Sequence, residues 1–297
     1  MVYLGLAVAC SLAIAMIFKV GERRGLDRIS LVTVNYAAAG ALGAALLAGE
    51  GAQQALRLNP PLLALGVGTG ALFILGFVLL SLAVRAAGMA LAAATMRLAV
   101  AVPFVASWLV WGETPSAWQV AGLVVAGGAF LLLAQPRRPR QAGPDPGSDG
   151  SAAGALATFG VLAALFVVGG AVDVSMKAFD EEFASANSRA LFLLMVFGVA
   201  FLIGAAVVLV RGLRSGRWPR GAALGWGAVL GLVNYGSAAF FLEAVALLPG
   251  PFVFPVNNLA IVAGAALLGV WVWGEQLSRA NRTGLARAGV ALVLLGL

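Results

Sequence analysis

The sequence predicts an all-α integral membrane protein of ten transmembrane helices, arranged as two inverted five-helix repeats. Three observations predict it: an apolar composition, apolar runs as long as a membrane is thick, and one motif that occurs twice at a fixed interval. Hydrophobic residues fill 62% of the 297 positions and charged residues 10%, with a mean hydropathy of +0.99. Soluble domains carry about half apolar and about a quarter charged residues. Crossing roughly 30 Å of hydrocarbon takes about 20 helical residues, and runs of that order recur ten times. Their continuous apolar character argues against a β-barrel, whose strands alternate over roughly ten residues.

The first run, 2 to 19, has no basic residue before it and many runs after it, so it reads as a permanent helix rather than a cleaved signal peptide. Runs at 30 to 48 and 60 to 84 follow. The fourth, 88 to 111, ends at Trp111-Gly112-Glu113, and the fifth spans 117 to 134. Gln135 to Ser151, with Pro-Arg-Arg-Pro-Arg and Gly-Pro-Asp-Pro-Gly-Ser-Asp-Gly, is a long polar break and reads as a solvated linker. Contact of its arginines with anionic headgroups is the competing reading. The second set covers 152 to 177, 189 to 210, 221 to 247, 250 to 273 and 280 to 297. The expected domains are therefore a repeat over 1–134, a linker over 135–151 and a repeat over 152–297.

The duplicated motif supports that division. Trp111, Gly112, Glu113, Gly122 and Gly127 recur as Trp273, Gly274, Glu275, Gly284 and Gly289, each 162 positions later. Five spans per copy is an odd number, so the second copy enters the bilayer from the opposite face, which makes an inverted repeat. At each corner tryptophan suits the headgroup level, glycine turns the chain, and the carboxylate opens the connection to the next helix. Glu113 and Glu275 thus read as turn and cap residues rather than proton carriers.

The net charge of +7 marks topology, not nucleic-acid binding, because the cations are not gathered on a soluble domain. Odd-numbered loops hold Lys19, Arg23, Arg24, Arg28, Arg85, Arg137, Arg138, Arg140, Arg211, Arg214, Arg217, Arg220, Arg279 and Arg282, whereas even-numbered loops hold only Arg57 and Arg189. The positive-inside rule then puts both termini outside a cell membrane. The lone Cys10 excludes an internal disulfide and reads as a small packing residue, and the absence of histidine removes the usual proton shuttle. No cofactor is expected, and no enzyme, since histidine, a paired-carboxylate metal motif and a nucleophile elbow are all missing. Gly66 with Gly70, Gly221 with Gly225, and Gly227 with Gly231 are GxxxG steps suited to close helix packing.

With its ten runs, duplicated halves and the corners Val110-Trp111-Gly112-Glu113 and Val272-Trp273-Gly274-Glu275, the chain resembles the drug/metabolite transporter superfamily, specifically its EamA-type members. The resemblance covers essentially the whole chain. It implies a ten-helix basket with a central cavity open alternately to each side, and it leaves the cargo unnamed among amino acids, sugar phosphates, nucleotide sugars and drug-like cations. Members are usually drawn with both termini in the cytoplasm, opposite to the orientation given by the arginines.

Charge buried in hydrocarbon costs roughly 2.5–3.5 kcal/mol on insertion scales and marks function. Residues whose repeat counterpart is bland are the sharpest candidates: Arg97 opposite Leu259, Asp173 opposite Ser11, Glu243 opposite Ser81. Nine residues beyond Gly88, Arg97 lies about 14 Å into its span, where a guanidinium can grip a carboxylate or phosphate in two places. A fixed ion pair with Asp173 or Glu243 is the alternative. Pro103 should leave the carbonyl of Ala99 free nearby. Asn257 and Asn258, counterparts of Thr95 and Met96, follow Pro249, Pro251 and Pro255 in a disturbed ninth span. Two Asn-Tyr pairs, Asn35 with Tyr36 and Asn234 with Tyr235, complete the expected substrate-binding set; interfacial anchoring competes for the first pair.

For ion coupling the candidates are Asp173, Glu243 and Lys177, with Asp173 and Lys177 in an i, i+4 acid-then-base order. The sequence therefore predicts a secondary transporter for a small polar metabolite with a carboxylate, such as an amino acid, working by alternating access, with an exporter expected. The alternatives are a carrier of sugar phosphates or nucleotide derivatives, which wants a second cation from Lys177 or Arg287, and a non-transporting scaffold. Expected partners are a small-molecule substrate, the lipid bilayer and a coupled proton or other ion, with no nucleic acid.

Overall fold

A computed structural model describes residues 1–49, 59–133, 152–216, 218–219, 221–274 and 277–297. The expected linker over 135–151, together with Arg57, Arg217, Arg220 and Glu275, lies outside the described residues. Among those described, the regular structure is helical: α1 (Val2–Arg23), α2 (Arg28–Gly49), α3 (Pro60–Leu98), α4 (Ala101–Leu109), α5 (Ala117–Leu133), α6 (Ala152–Glu182), α7 (Arg189–Ser215), α8 (Gly221–Leu247), α9 (Gly250–Trp273) and α10 (Arg279–Leu295). α3 breaks at Gly88 (φ 81°, ψ 159°), so the long segments there are Pro60–Gly88 and Leu91–Leu109. Eight helical segments are long and apolar enough to cross a membrane, and the chain is accordingly a multi-pass membrane protein. α5 and α10, of 17 residues each, are shorter.

Local chemistry sets the helix ends. Asn59 caps α3 by accepting from the Leu62 amide at 2.8 Å, with Pro60 at the first helical position, where a missing N–H costs nothing. Ser188 caps α7, which closes on Gly216 with a left-handed φ of 65°. α5 and α10 open with the same device. Ser116 and Gln119 exchange side-chain and backbone hydrogen bonds, and Ser278 and Asn281 do likewise 162 positions later.

Packing divides the chain into two compact units, one of Met1–Ile74 and Ser175–Leu248, the other of Leu75–Val174 and Pro249–Leu297. In the first, α2 runs along α7 and α8, and α1 along α8. The two helices α2 and α7 are antiparallel: Gly43 lies against Leu194, and Gly204 against Thr33. Glycine makes the closest approaches possible. A Cβ on Gly66 would sit 2.9 Å from Met195 Cβ, and one on Gly70 2.8 Å from Val199 Cβ. Gly227 and Gly231 repeat this on α2, with 2.7 Å to Val34 Cβ and 2.7 Å to Ala38 Cβ. Gly227, Gly231, Met195 and Val199 lie 161 positions after Gly66, Gly70, Val34 and Ala38, so the two contacts are the same contact made twice. Gly221 and Gly225, by contrast, meet no neighbour within 4 Å, and their spacing serves no packing.

In the second unit α5 lies along α10, and α9 meets α4, α5 and α10. α5 and α10 are also antiparallel twins. A Cβ on Gly122 would sit 2.8 Å from Leu295 Cγ, and one on Gly284 2.9 Å from Leu133 Cγ, both pairs offset by 162. α3 and α4 part at Ala99–Val100, and the carbonyl of Ala99, expected free because of Pro103, instead accepts from the Val102 amide at 3.0 Å, because the chain tightens into a short turn there.

Candidate functional site

The unit holding Arg97 contains a cavity of about 350 Å³, whose lining includes Ala93, Ala94, Arg97, Phe130, Val262 and Asn281. Small residues make this room. Ala93 and Ala94 stand one turn before Arg97, and Ala265 and Ala266 face them from α9. Phe130 and Leu133 supply apolar surface from α5, and Leu277 adds to it ahead of α10.

The guanidinium is anchored at one corner. Arg97 Nη1 donates to Asn258 Oδ1 at 3.1 Å, and Asn258 Nδ2 donates to the Phe254 carbonyl at 3.2 Å, so α9 orients the amide that holds the arginine. One of five N–H donors is thereby used. Asp173 on α6 attracts the same guanidinium. The neighbouring Asn257 carries a buried Oδ1 with no hydrogen-bond partner, an acceptor of the kind that folded proteins rarely leave unmatched. Thr95 returns its hydroxyl to the Leu91 carbonyl at 2.9 Å, which bends it toward its own helix and away from a role as donor. Asn281 uses its amide on the Leu132 and Leu133 carbonyls at the end of α5.

Where α4 ends, α9 begins. Glu113 Oε2 accepts from the Gly250 amide at 2.7 Å, placing a carboxylate on the first N–H of a 24-residue helix. The sequence expectation of a cap holds for Glu113, but the helix capped is α9, not the following α5. Gly250 is pressed against Ser107, whose buried Oγ has no hydrogen-bond partner, so no larger residue fits there. The counterpart of this position is Gly88, at the break in α3, and the counterpart of Glu113, Glu275, lies outside the described residues.

The remaining substrate-binding and ion-coupling candidates belong to the other unit. The two Asn-Tyr pairs meet: Asn234 Nδ2 donates to Asn35 Oδ1 at 3.2 Å, while Tyr36 and Tyr235 both pack on Phe197 with centroids 6.3 and 6.1 Å away. Tyr36 is 7% exposed, so it is not an interfacial anchor. Lys177, 2% exposed, pairs with Glu181 at 2.6 Å, so the close salt bridge of that lysine runs one turn onward rather than back to Asp173. Glu243 is held by Arg189 at 3.4 Å, and Arg189 also reaches Asp180 at 3.3 Å. From sequence Arg189 reads only as a topology charge and Asp180 draws no expectation; the acidic run Asp180-Glu181-Glu182 ahead of Arg189 in the same loop is the available signal. Arg287 is exposed, with its guanidinium near Gly128.

No protein-family model matches the chain. A protein of Haemophilus influenzae (strain ATCC 51907 / DSM 11121 / KW20 / Rd), described as uncharacterized, is 26% identical over 290 residues, covering 94% of this chain and 92% of its own. Among solved structures, one described only as the crystal structure of a protein matches with a TM-score of 0.75 at 18% identity, covering 99% of this chain and 94% of that one. The chain therefore shares its fold with a solved structure.

Proposed function

We propose that the protein is a secondary transporter of the drug/metabolite transporter type, built from two inverted five-helix repeats, which carries a small carboxylate-bearing metabolite by alternating access around Arg97. Twin contacts support the inversion. Counterpart helices α5 and α10 run antiparallel with Gly122 on Leu295 and Gly284 on Leu133, and α2 and α7 do the same with Gly43 on Leu194 and Gly204 on Thr33. Repeats of like orientation would make counterpart helices parallel. On this reading α5 and α10 complete ten spans, and 17 residues give about 26 Å of rise, short but near a bilayer's hydrocarbon thickness.

One observation carries the cargo assignment: a guanidinium with a single neutral hydrogen-bond partner among the described residues lies in the wall of a cavity of about 350 Å³. A carboxylate would take its remaining donors bidentately. Asn257 Oδ1, buried without a hydrogen-bond partner beside the amide that holds Arg97, is an acceptor suited to an ammonium group, which favours an amino acid over a simple acid. Phosphate cargo finds less support, because Lys177 is committed to Glu181 and Arg287 is exposed. Alternation is what two inverted repeats around one cavity would provide. Export is the direction proposed.

The test is thermal stabilisation of the purified protein by a panel of amino acids and small carboxylates. A ligand at 100 times its Kd stabilises by about 2.7 kcal/mol. That shift should vanish in Arg97→Ala and persist, reduced, in Arg97→Lys. Equal stabilisation of wild type and Arg97→Ala would overturn the assignment.

A further inference from the structure

A second cavity, of about 660 Å³, opens at one end of the unit formed by Met1–Ile74 and Ser175–Leu248. It lies where α1 turns into α2 and where α7 gives way to α8, and Arg24, Asp27, Arg211, Trp218, Pro219 and Ala222 line it. All of these stand at helix ends, the level of lipid headgroups for helices of spanning length.

Its chemistry is that of an anion site with an aromatic rim. The Arg24 guanidinium lies 4.9 Å above the Trp226 ring, a contact that fixes the cation without neutralising it. Arg211 Nη1 donates to Asp27 Oδ1 at 2.8 Å, which uses one of its five N–H groups. Asp27 is the one carboxylate in the lining and is fully engaged: Ser30 donates to its Oδ2 through the side chain at 2.6 Å and the backbone at 2.9 Å. Burial pushes its carboxyl up, but the Ser30 hydrogen bonds and Arg211 outweigh that and hold it below the ordinary range, so it stays an anion serving as the arginine's post. Ala222 and Ala223 in the wall belong to the first turn of α8, whose N–H groups and dipole favour negative charge. Trp218, half-exposed, folds against Gly212 and presents a ring at the mouth. Lys19, Arg23, Arg28 and Arg214 stand on the same helix ends and add to the positive field.

We propose that this cavity binds the phosphate headgroup of an anionic phospholipid, with Arg24, Arg211 and the start of α8 around the phosphate and Trp218 at the acyl–headgroup boundary. A lipid is favoured over free phosphate because Leu26, Trp218, Ala222 and Ala223 put apolar surface in the same lining as the arginines, and because a headgroup at this depth is already concentrated in the bilayer.

Native mass spectrometry of the protein released from phosphatidylcholine nanodiscs containing phosphatidylglycerol reads the retained lipid directly. Wild type should keep phosphatidylglycerol through delipidation, and Arg24→Gln should retain about fivefold less, the effect of about one surface cation. Arg211→Gln should lose as much or more. Arg85→Gln, which removes the same charge elsewhere, should behave as wild type and separates a site from net charge. Excess inorganic phosphate should not displace the lipid; displacement by phosphate alone would assign the cavity to free phosphate and overturn the proposal. Equal retention by wild type and Arg24→Gln would overturn it as well. The readout is lipid retention, so it stands or falls independently of any transported cargo.

Discussion

Along the α5–α10 pair, close contacts come in twins: Gly122 meets Leu295 as Gly284 meets Leu133, and a Ser116–Gln119 box opens α5 as a Ser278–Asn281 box opens α10. Where α9 meets the end of α3, in the same compact unit, the twins part company. Arg97, at the end of α3, holds Asn258 on α9, whereas the residue 162 positions after it is the apolar Leu259. On the proposed inverted repeat, a contact kept twice serves the frame, and one kept once marks a place where the halves differ. The cavity is lined from α3, α5, α9 and α10, with Arg97 supplying its charge.

The largest effects should come from breaking a twin. Gly122→Leu and Gly284→Leu each force a side chain against the Leu295 or Leu133 backbone, about 3.1 Å from where even a Cβ would lie. Overpacking of this kind costs about 1–3 kcal/mol or more. Both variants should lose monodisperse protein to the same degree in size-exclusion yield, and a strong difference between them would break the symmetry. Next, Glu113→Ala removes the cap from α9 and should lower thermal stability by about 1 kcal/mol, with Glu113→Gln recovering part. An unchanged melting temperature for both would deny the α4–α9 closure a structural role. A smaller effect is expected for the Asn35–Asn234 bond. A double-mutant cycle with leucine at each site should give a coupling of about 0.6 kcal/mol, the usual size for interhelical hydrogen bonds in membranes.

Asp27 gives the smallest effect and a sign. Its folded-state pKa is below the unfolded value, so its contribution is present above about pH 4 and is lost as pH falls through the folded value. Asp27→Asn should therefore differ from wild type in melting temperature at neutral pH and converge with it under acid. A difference that persists undiminished below that range would assign the Asp27 contribution to something other than charge.

Much of the frame was legible because apolar run length is a direct physical signal. The expected runs 30 to 48 and 189 to 210 are α2 and α7, extended by a few residues at their polar ends, where headgroup-level arginines continue the helix. What periodicity could not give was register. Counting by 162 leaves Asn35 and Tyr36 unrelated to the rest, but in this part of the chain the twin contacts run at 161, which makes Phe197 the counterpart of Tyr36; the two stack in the folded protein. A one-residue slip is invisible where glycine and alanine repeat as densely as here. Partner choice was likewise hidden: Arg97 was legible as a buried cation, but its hold on Asn258 depends on how α9 lies beside the end of α3. Lys177 could have paired toward Asp173 or Glu181, equally spaced on one helix, and only the fold selects Glu181.

The proposal at the centre, that opposed repeats expose the Arg97 cavity to each side in turn, meets its most direct test in cysteine accessibility. Cys10 is the one native cysteine, so a Cys10→Ser background carrying Ala93→Cys or Ala266→Cys reports on the cavity alone. In sealed vesicles of known orientation, a membrane-impermeant maleimide applied to either face should label these positions, and a stabilising carboxylate ligand should slow both reactions. Labelling from one face only, at a rate that ligand leaves unchanged, would contradict alternating access.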